Sequence, residues 1–177
     1  ENTSLEAATI MLKTLTSNIK EISDIKTAEA STLFTVAKKD VEIALTNELA
    51  VFCESLNVDY FKVIDTLDLK TSIFRPTIIE EENKNETYLL LDCAETLNVK
   101  LRLPSLARQI NEDMIKHAVN LTQEALQSCG KTLRRCRVAV LGKVNRTSSI
   151  RAFINMIEQK GAKVNLYDPT AKKEPVD

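Results

Sequence analysis

Glycine and proline are scarce in this sequence, three and four residues among 177. So little turn material argues against an all-β fold and leaves helices to dominate. Tryptophan is absent and aromatics make up 5%, so there is no stripe of rings on which bases could stack. Acidic and basic residues are interspersed to a net charge of −1, and nucleic-acid binding is not expected. No apolar run approaches the roughly 18 residues of a membrane span, and no signal peptide is recognisable. A cytoplasmic protein without a membrane partner is therefore expected. Cys53, Cys93, Cys129 and Cys136 form no CxxC pair, and His117 is the single histidine. They read as reduced thiols and a structural histidine, and no metal site is expected.

What is present is a core-forming composition, with 44% hydrophobic residues. Apolar residues over 4–17 recur near helical spacing, with Ser4 as N-cap. Ile19–Ile22 reads as a short strand or an extended link. From Thr27 to about Leu56, apolar residues recur in steps of three and four without Gly or Pro. That is one long helix, which other elements or a second subunit must cover. Asn57-Val58-Asp59 breaks it, and Asp59 caps a short helix through Leu67. Residues 69–86 look irregular, because Arg75 precedes Pro76 and Glu80–Asn85 is polar. Helices resume at about 86–97 and, with Pro104 in the first turn, at 105–128, where Gly130 is the stop. Beyond Arg134 the pattern becomes strand (137–142), amphipathic helix (Ile150 to Ile157), Gly161, and strand (162–168). This is one β-α-β unit.

Candidate chemistry is sparse. Gly142 after a strand could open a phosphate cradle with Lys143, Arg146 and Arg151, or simply a solvated turn with an ordinary helix cap. The stretch Gly142–Ser149 matches neither GxGxxG nor GxxxxGK[ST]. Glu80-Glu81-Glu82 lacks cation-ligand spacing and reads as a solvated loop. Arg134, Arg135 and Arg137 read as a feature of a linker. Composition and periodicity stop at a mostly helical, oligomeric protein.

Longer motifs carry more. Thr27–Phe34, then Lys39–Ala50, resemble the pattern T-A-E-x-x-K-L-x-x-N followed by R-D-V-x-I-A-x-x-N-E-x-A. The similarity continues through Tyr88–Leu91, Ala107–Glu112, Val138–Gly142 and Gly161–Pro169. In that order these motifs resemble the UDP-glucose/GDP-mannose (nucleotide-sugar) 6-dehydrogenase family. The resemblance implies a mainly α central domain with partial α/β, Rossmann-like pieces at both ends. Residues 1–24 would be the end of an NAD-binding domain, 25–130 a dimerisation domain, and 134–177 the start of a nucleotide-sugar-binding domain. NAD would be the cofactor, its glycine fingerprint lying before Glu1. The partner would be a second copy joined through helix 27–56, and the substrate a nucleotide sugar.

The family oxidises a sugar alcohol twice through a Cys thioester, assisted by a Lys and an Asn on the long helix and by an Asp after the Cys. On this chain the Lys falls on Thr32 and the Asn on Val36. The Cys falls near Glu82 and the Asp near Glu86, and no glycine-rich loop follows Pro76. Arg75 and Arg151 remain as candidates for binding substrate. The resemblance therefore implies a fragment or an inactive relative of an NAD-dependent oxidoreductase. The alternative is a non-catalytic dimerisation or interaction module.

Overall fold

The structure is a computed structural model that describes residues 2–22, 24–67, 75–79, 81–142 and 149–168, with backbone alone at 2–3 and 81–84. Six helices and one two-stranded parallel sheet are found among these residues: α1 (Asn2–Lys13), α2 (Ile25–Ser55), α3 (Tyr60–Thr66), α4 (Glu81–Thr96), α5 (Arg102–Ser128), β1 (Arg137–Leu141), α6 (Ser149–Gln159) and β2 (Lys163–Tyr167). The chain divides into two compact units, Glu1–Thr35 and Val36–Asp177.

In the first unit α1 begins at Asn2, so Ser4 lies inside the helix and does not cap it. Asn, Thr and Ser all suit a helix start, and composition alone does not choose among them. The helix stops at Lys13 rather than near 17. There the Thr14 hydroxyl donates to the Met11 carbonyl at 2.7 Å, in competition with the helical ladder. Ile19–Ile22 is a link and pairs with no strand among the described residues. Asp24 then caps α2, accepting from the Thr27 N–H at 2.9 Å and the Thr27 hydroxyl at 2.7 Å. These bonds to the ionised form hold its carboxyl below the usual range.

Four helices of the second unit stop in the same way. After α2, α4, α5 and α6 comes a left-handed residue: Asn57, Asn98, Gly130 and Gly161. The next N–H in each case reaches back to the helix: Val58 to Cys53, Val99 to Ala94, Lys131 to Leu126 and Ala162 to Ile157, at 2.8–3.1 Å. This Schellman closure satisfies carbonyls that would otherwise be orphaned, and only Gly or Asn enters it cheaply. Asp59 caps α3 as expected, accepting from the Phe61 N–H at 2.9 Å. The acidic run read as loop differs: α4 starts at Glu81, not near 86. Carboxylates favour a first helical turn, so a polar run there need not be a loop.

Of the large apolar residues of α2, Ile43 is buried, but several of the others are not. Ala37, Ala44 and Ala50 are buried there together with Asp40 and Asn47, while Leu45, Leu49 and Phe52 are 57, 45 and 58% exposed. Small and polar residues thus make up most of the buried stripe. Tyr60 of α3 packs with Ala50 and Cys53.

The apolar core of this unit sits further along. Val119, Leu133, Ile157 and Ala162 are buried together, with Leu126, Val138, Phe153 and Val164 packed around them. The second half of α5 thus covers α6 and one face of the sheet. Its strands run parallel in the register Arg137↔Lys163 to Leu141↔Tyr167. Ile157 is fully buried at the centre of this cluster. Ile157→Ala should lower stability by about 2–5 kcal/mol in urea unfolding, whereas a loss under 1 kcal/mol would mean that the cluster is not the core.

Candidate functional site

The contact between α2 and α5 is polar where a helical seam is usually apolar. It uses residues seven apart on α2: Asp40, Asn47 and Glu54. Asn111 of α5 donates from Nδ2 to the Asp40 backbone oxygen at 2.9 Å and to Asp40 Oδ1 at 2.7 Å. Its own Oδ1 accepts from Asn47 Nδ2 at 2.9 Å. Asn47 spends its remaining capacity on a loop: Nδ2 donates to the Thr77 carbonyl at 3.0 Å, and Oδ1 accepts from the Thr77 N–H at 2.9 Å. Asn47 is 0% and Asn111 2% exposed. Every amide group of the two side chains is used, the condition under which a buried polar network stabilises rather than costs.

Arg108 closes the other end. Its Nε lies 2.9 Å from Asp40 Oδ2, with both side chains almost wholly buried. Nη1 and Nη2 have no hydrogen-bond partner among the described residues. Burial pushes the Asp40 carboxyl above the usual range, against the Arg108 charge and the Asn111 N–H that pull it down. Desolvation outweighs attraction in this pair. Further along the seam, Glu54 Oε2 lies 2.7 Å from His117 Nε2, so the histidine has a carboxylate partner that its sequence neighbours do not reveal. On the α4 side, the Tyr88 hydroxyl donates to Glu112 Oε1, and the carboxylate it serves holds the phenol above its usual range.

The segment 75–79 is thus tied at two points. Thr77 is clamped to α2, and the Ile79 carbonyl accepts from the Ser149 hydroxyl at 2.5 Å. Ser149 is buried and is the first residue of α6. The loop that follows Pro76 therefore joins the helical core to the helix N-terminus of the β-α-β unit.

The residues singled out from the sequence are not gathered by this geometry. Thr32 is exposed on α2, its hydroxyl donating to the Ala28 carbonyl at 3.2 Å within the helix. Val36 is half-buried on the same helix. The backbone of Glu82 lies in α4, but its side chain is outside the described residues, as are Lys143 and Arg146. Glu86 on α4, Arg75 at the head of the loop and Arg151 on α6 are all exposed. No hydrogen bond or ion pair of the described residues joins any two of them. Asn47, Asn111, Asp40 and Arg108 appeared in the sequence only as parts of motifs. Their signal was the position of Asn47 between Ala44 and Ala50, a weak helix former on a core-facing stripe.

Comparison with known proteins places this seam. Residues 26–113 match the UDP-glucose/GDP-mannose dehydrogenase family, central domain. The helical middle of this chain belongs to that family. Among curated relatives, the UDP-N-acetyl-D-mannosamine dehydrogenase of Pyrococcus horikoshii is 29% identical, over 84% of this chain and 37% of its own length. Protein CapL of Staphylococcus aureus is 28% identical, over 94% of this chain and 42% of its own. The solved structure of a UDP-D-ManNAc dehydrogenase from Pyrococcus horikoshii superposes with a TM-score of 0.84 at 26% identity, covering 96% of this chain and 43% of that one. The chain spans about two fifths of the length of the curated relatives it matches. Within the dehydrogenase-family segment lie Asp40, Asn47, Arg108 and Asn111, so the whole polar seam is part of the matched domain.

Asn47→Ala should remove the clamp on Thr77 and strand Asn111, at a cost of about 2–4 kcal/mol in urea unfolding. Hydrogen exchange at the Thr77 amide should accelerate with it, and unchanged protection there would show that something else holds the loop. A second expectation concerns pH. The folded pKa of Asp40 lies above its unfolded value of 3.8, so folding takes up a proton there. Its contribution to stability is full below about pH 4 and is lost as pH rises through the folded pKa. The stability gap between the native protein and Asp40→Asn should therefore widen from pH 7 down to pH 4, and a gap that narrows would reverse the assignment.

Proposed function

We propose that this chain is a dimerisation scaffold of the nucleotide-sugar dehydrogenase family that has lost the family's oxidation chemistry. The observation that carries the reading is the pair Thr32 and Val36 on α2, at the positions where the resemblance expects Lys and Asn. A hydroxyl already bonded within its own helix and an isopropyl group supply neither an ammonium nor an amide. The positions near which the family's Cys and Asp would fall, Glu82 and Glu86, carry carboxylates, which cannot form a thioester. On this reading residues 1–24 continue an NAD-binding domain, 25–130 make the dimer, and 134–177 open a nucleotide-sugar domain, with Arg75 and Arg151 as its remaining cations.

The second copy is supported by the outward face of α2. Leu45, Leu49 and Phe52 are exposed there, as are Leu103 and Leu106 of α5. An apolar cleft of about 290 Å³ lies between the two helices, lined by Val41, Leu45, Leu103 and Leu106 among others. A contiguous apolar surface of this kind is normally covered. A self-complementary helix face is the simplest cover for it.

The other reading is an active NAD-dependent dehydrogenase oxidising a UDP-sugar to its uronic acid, which the names of the relatives favour. NAD would supply the hydride acceptor when bound, and the β1–α6 turn, which belongs to the nucleotide-sugar part on this map, offers it no cradle. Gly142 stands alone at the β1–α6 turn, without the further glycines of a dinucleotide cradle.

Light scattering at micromolar concentration should give a dimer, and Leu45→Glu combined with Phe52→Glu should give a monomer of unchanged helicity. A monomeric native protein would remove the scaffold reading. With NAD and a panel of UDP-glucose, UDP-N-acetylglucosamine and UDP-N-acetylmannosamine, no NADH should form. Turnover of any of these would establish the second reading instead.

A further inference from the structure

From Ala125 through Ile157 the sequence contains no Asp or Glu, although the chain as a whole is nearly neutral. The connector between α5 and β1 lies within that stretch. It forms a cleft of about 430 Å³ lined by Lys131, Thr132, Arg134, Arg135, Cys136 and Arg137. All four cations are exposed, and their side chains have no ion-pair or hydrogen-bond partner among the described residues. Lys163, exposed and outside the cleft lining, is a further cation nearby. It stands in register opposite Arg137 on the neighbouring strand, and its N–H donates to the Cys136 carbonyl at 2.7 Å. Like charges placed directly across a strand pair are destabilising. The C-terminal end of α5 offers only about half a negative charge in return.

The backbone of this cleft is fixed. Arg135 sits in the left-handed region at φ 66°, uncommon for a long side chain. Its N–H donates to the Gly161 carbonyl at 2.8 Å. Gly161 packs so closely that a Cβ there would lie 3.4 Å from the Arg134 Cα. The α6–β2 turn therefore holds the Arg134-Arg135 pair in place and aims neighbouring cations into one concavity.

We propose that this cleft binds a small anion bearing at least two phosphates. Three of its four cations are arginines, whose planar forks match phosphate oxygens in pairs. Its volume suits a nucleotide-sized ligand rather than a single ion. The site lies at the N-terminal end of β1, one strand length from the N-terminus of α6, and is independent of the dehydrogenase reading. Occupancy would neutralise the Arg137–Lys163 repulsion and brace the connector between α5 and the β-α-β unit.

Calorimetric titration of the whole chain with inorganic pyrophosphate tests this. One saturable site is expected, weakening as salt rises. Arg134→Gln combined with Arg135→Gln should weaken it by at least about tenfold, since two charge-assisted contacts to phosphate are lost. Arg134→Lys with Arg135→Lys keeps the charge and should retain part of the affinity, with circular dichroism confirming that both doubles fold. Lys62→Gln, an exposed cation on α3, should leave binding unchanged. Absence of saturable binding, equal affinity in the Gln double variant, or loss of binding in Lys62→Gln would each overturn the assignment.

Discussion

The arrangement of the second unit depends on one side chain using all of its hydrogen-bonding capacity. Asn47 faces α5, and its amide is divided between Asn111 and the backbone of Thr77. Asn111 in turn is committed to Asp40, both side chain and main chain. The helix pair is therefore keyed by complementary donors and acceptors rather than by shape alone. Sliding α5 by one residue would leave three buried amide groups unpaired, each at a cost comparable to a lost hydrogen bond. An apolar seam would tolerate such a slip more readily. The same amide fixes the loop after Pro76, so helix register and loop position are one constraint, not two.

That keyed seam explains an inversion in α2. Asp40, Asn47 and the small residues Ala37 and Ala44 occupy the buried stripe of α2, while Ala50 packs against Tyr60 of α3. Ile43 is buried with them, whereas Leu45, Leu49 and Phe52 are exposed, Leu45 beside the cleft with α5. A face that would ordinarily be the core becomes a surface. The hydrophobic contribution that this unit lacks along α2 is supplied instead by the cluster around Val119 and Ile157, under the sheet.

Much of this was readable in the sequence, and the failures have identifiable causes. The long helix, the Asp59 cap, the Gly130 stop and the β-α-β unit all follow from periodicity and from residues with narrow conformational roles. The start of α4 was missed because acidic residues suit both a solvated loop and a first helical turn. Which face of α2 is buried was not legible either. Periodicity marks apolar positions but cannot tell a core from an uncovered surface, and here Asn and Asp occupy the inside. The Glu54–His117 pair joins residues from distant helices and leaves no local trace. The basic connector was visible residue by residue, yet the neutral total concealed that no acid accompanies it. The substituted positions Thr32 and Val36 came from family resemblance, not from any physical pattern in the chain.

If the proposed reading holds, those two positions show how a scaffold outlasts its chemistry. Thr32 is exposed and satisfies its hydroxyl on its own helix, so the folded state gains little from any particular residue there. Val36 is a modest helix former at a half-buried site, and the loss of an amide at that point strands no partner among the described residues. Asn47, on the same helix, has no such freedom: every replacement orphans a backbone group or another amide. Folding therefore constrains Asp40, Asn47, Arg108 and Asn111 more tightly than positions 32 and 36. On the proposed reading, a seam kept beside altered catalytic positions is what physical separability of folding and chemistry allows. An intact family fold is consequently weak evidence for intact family chemistry.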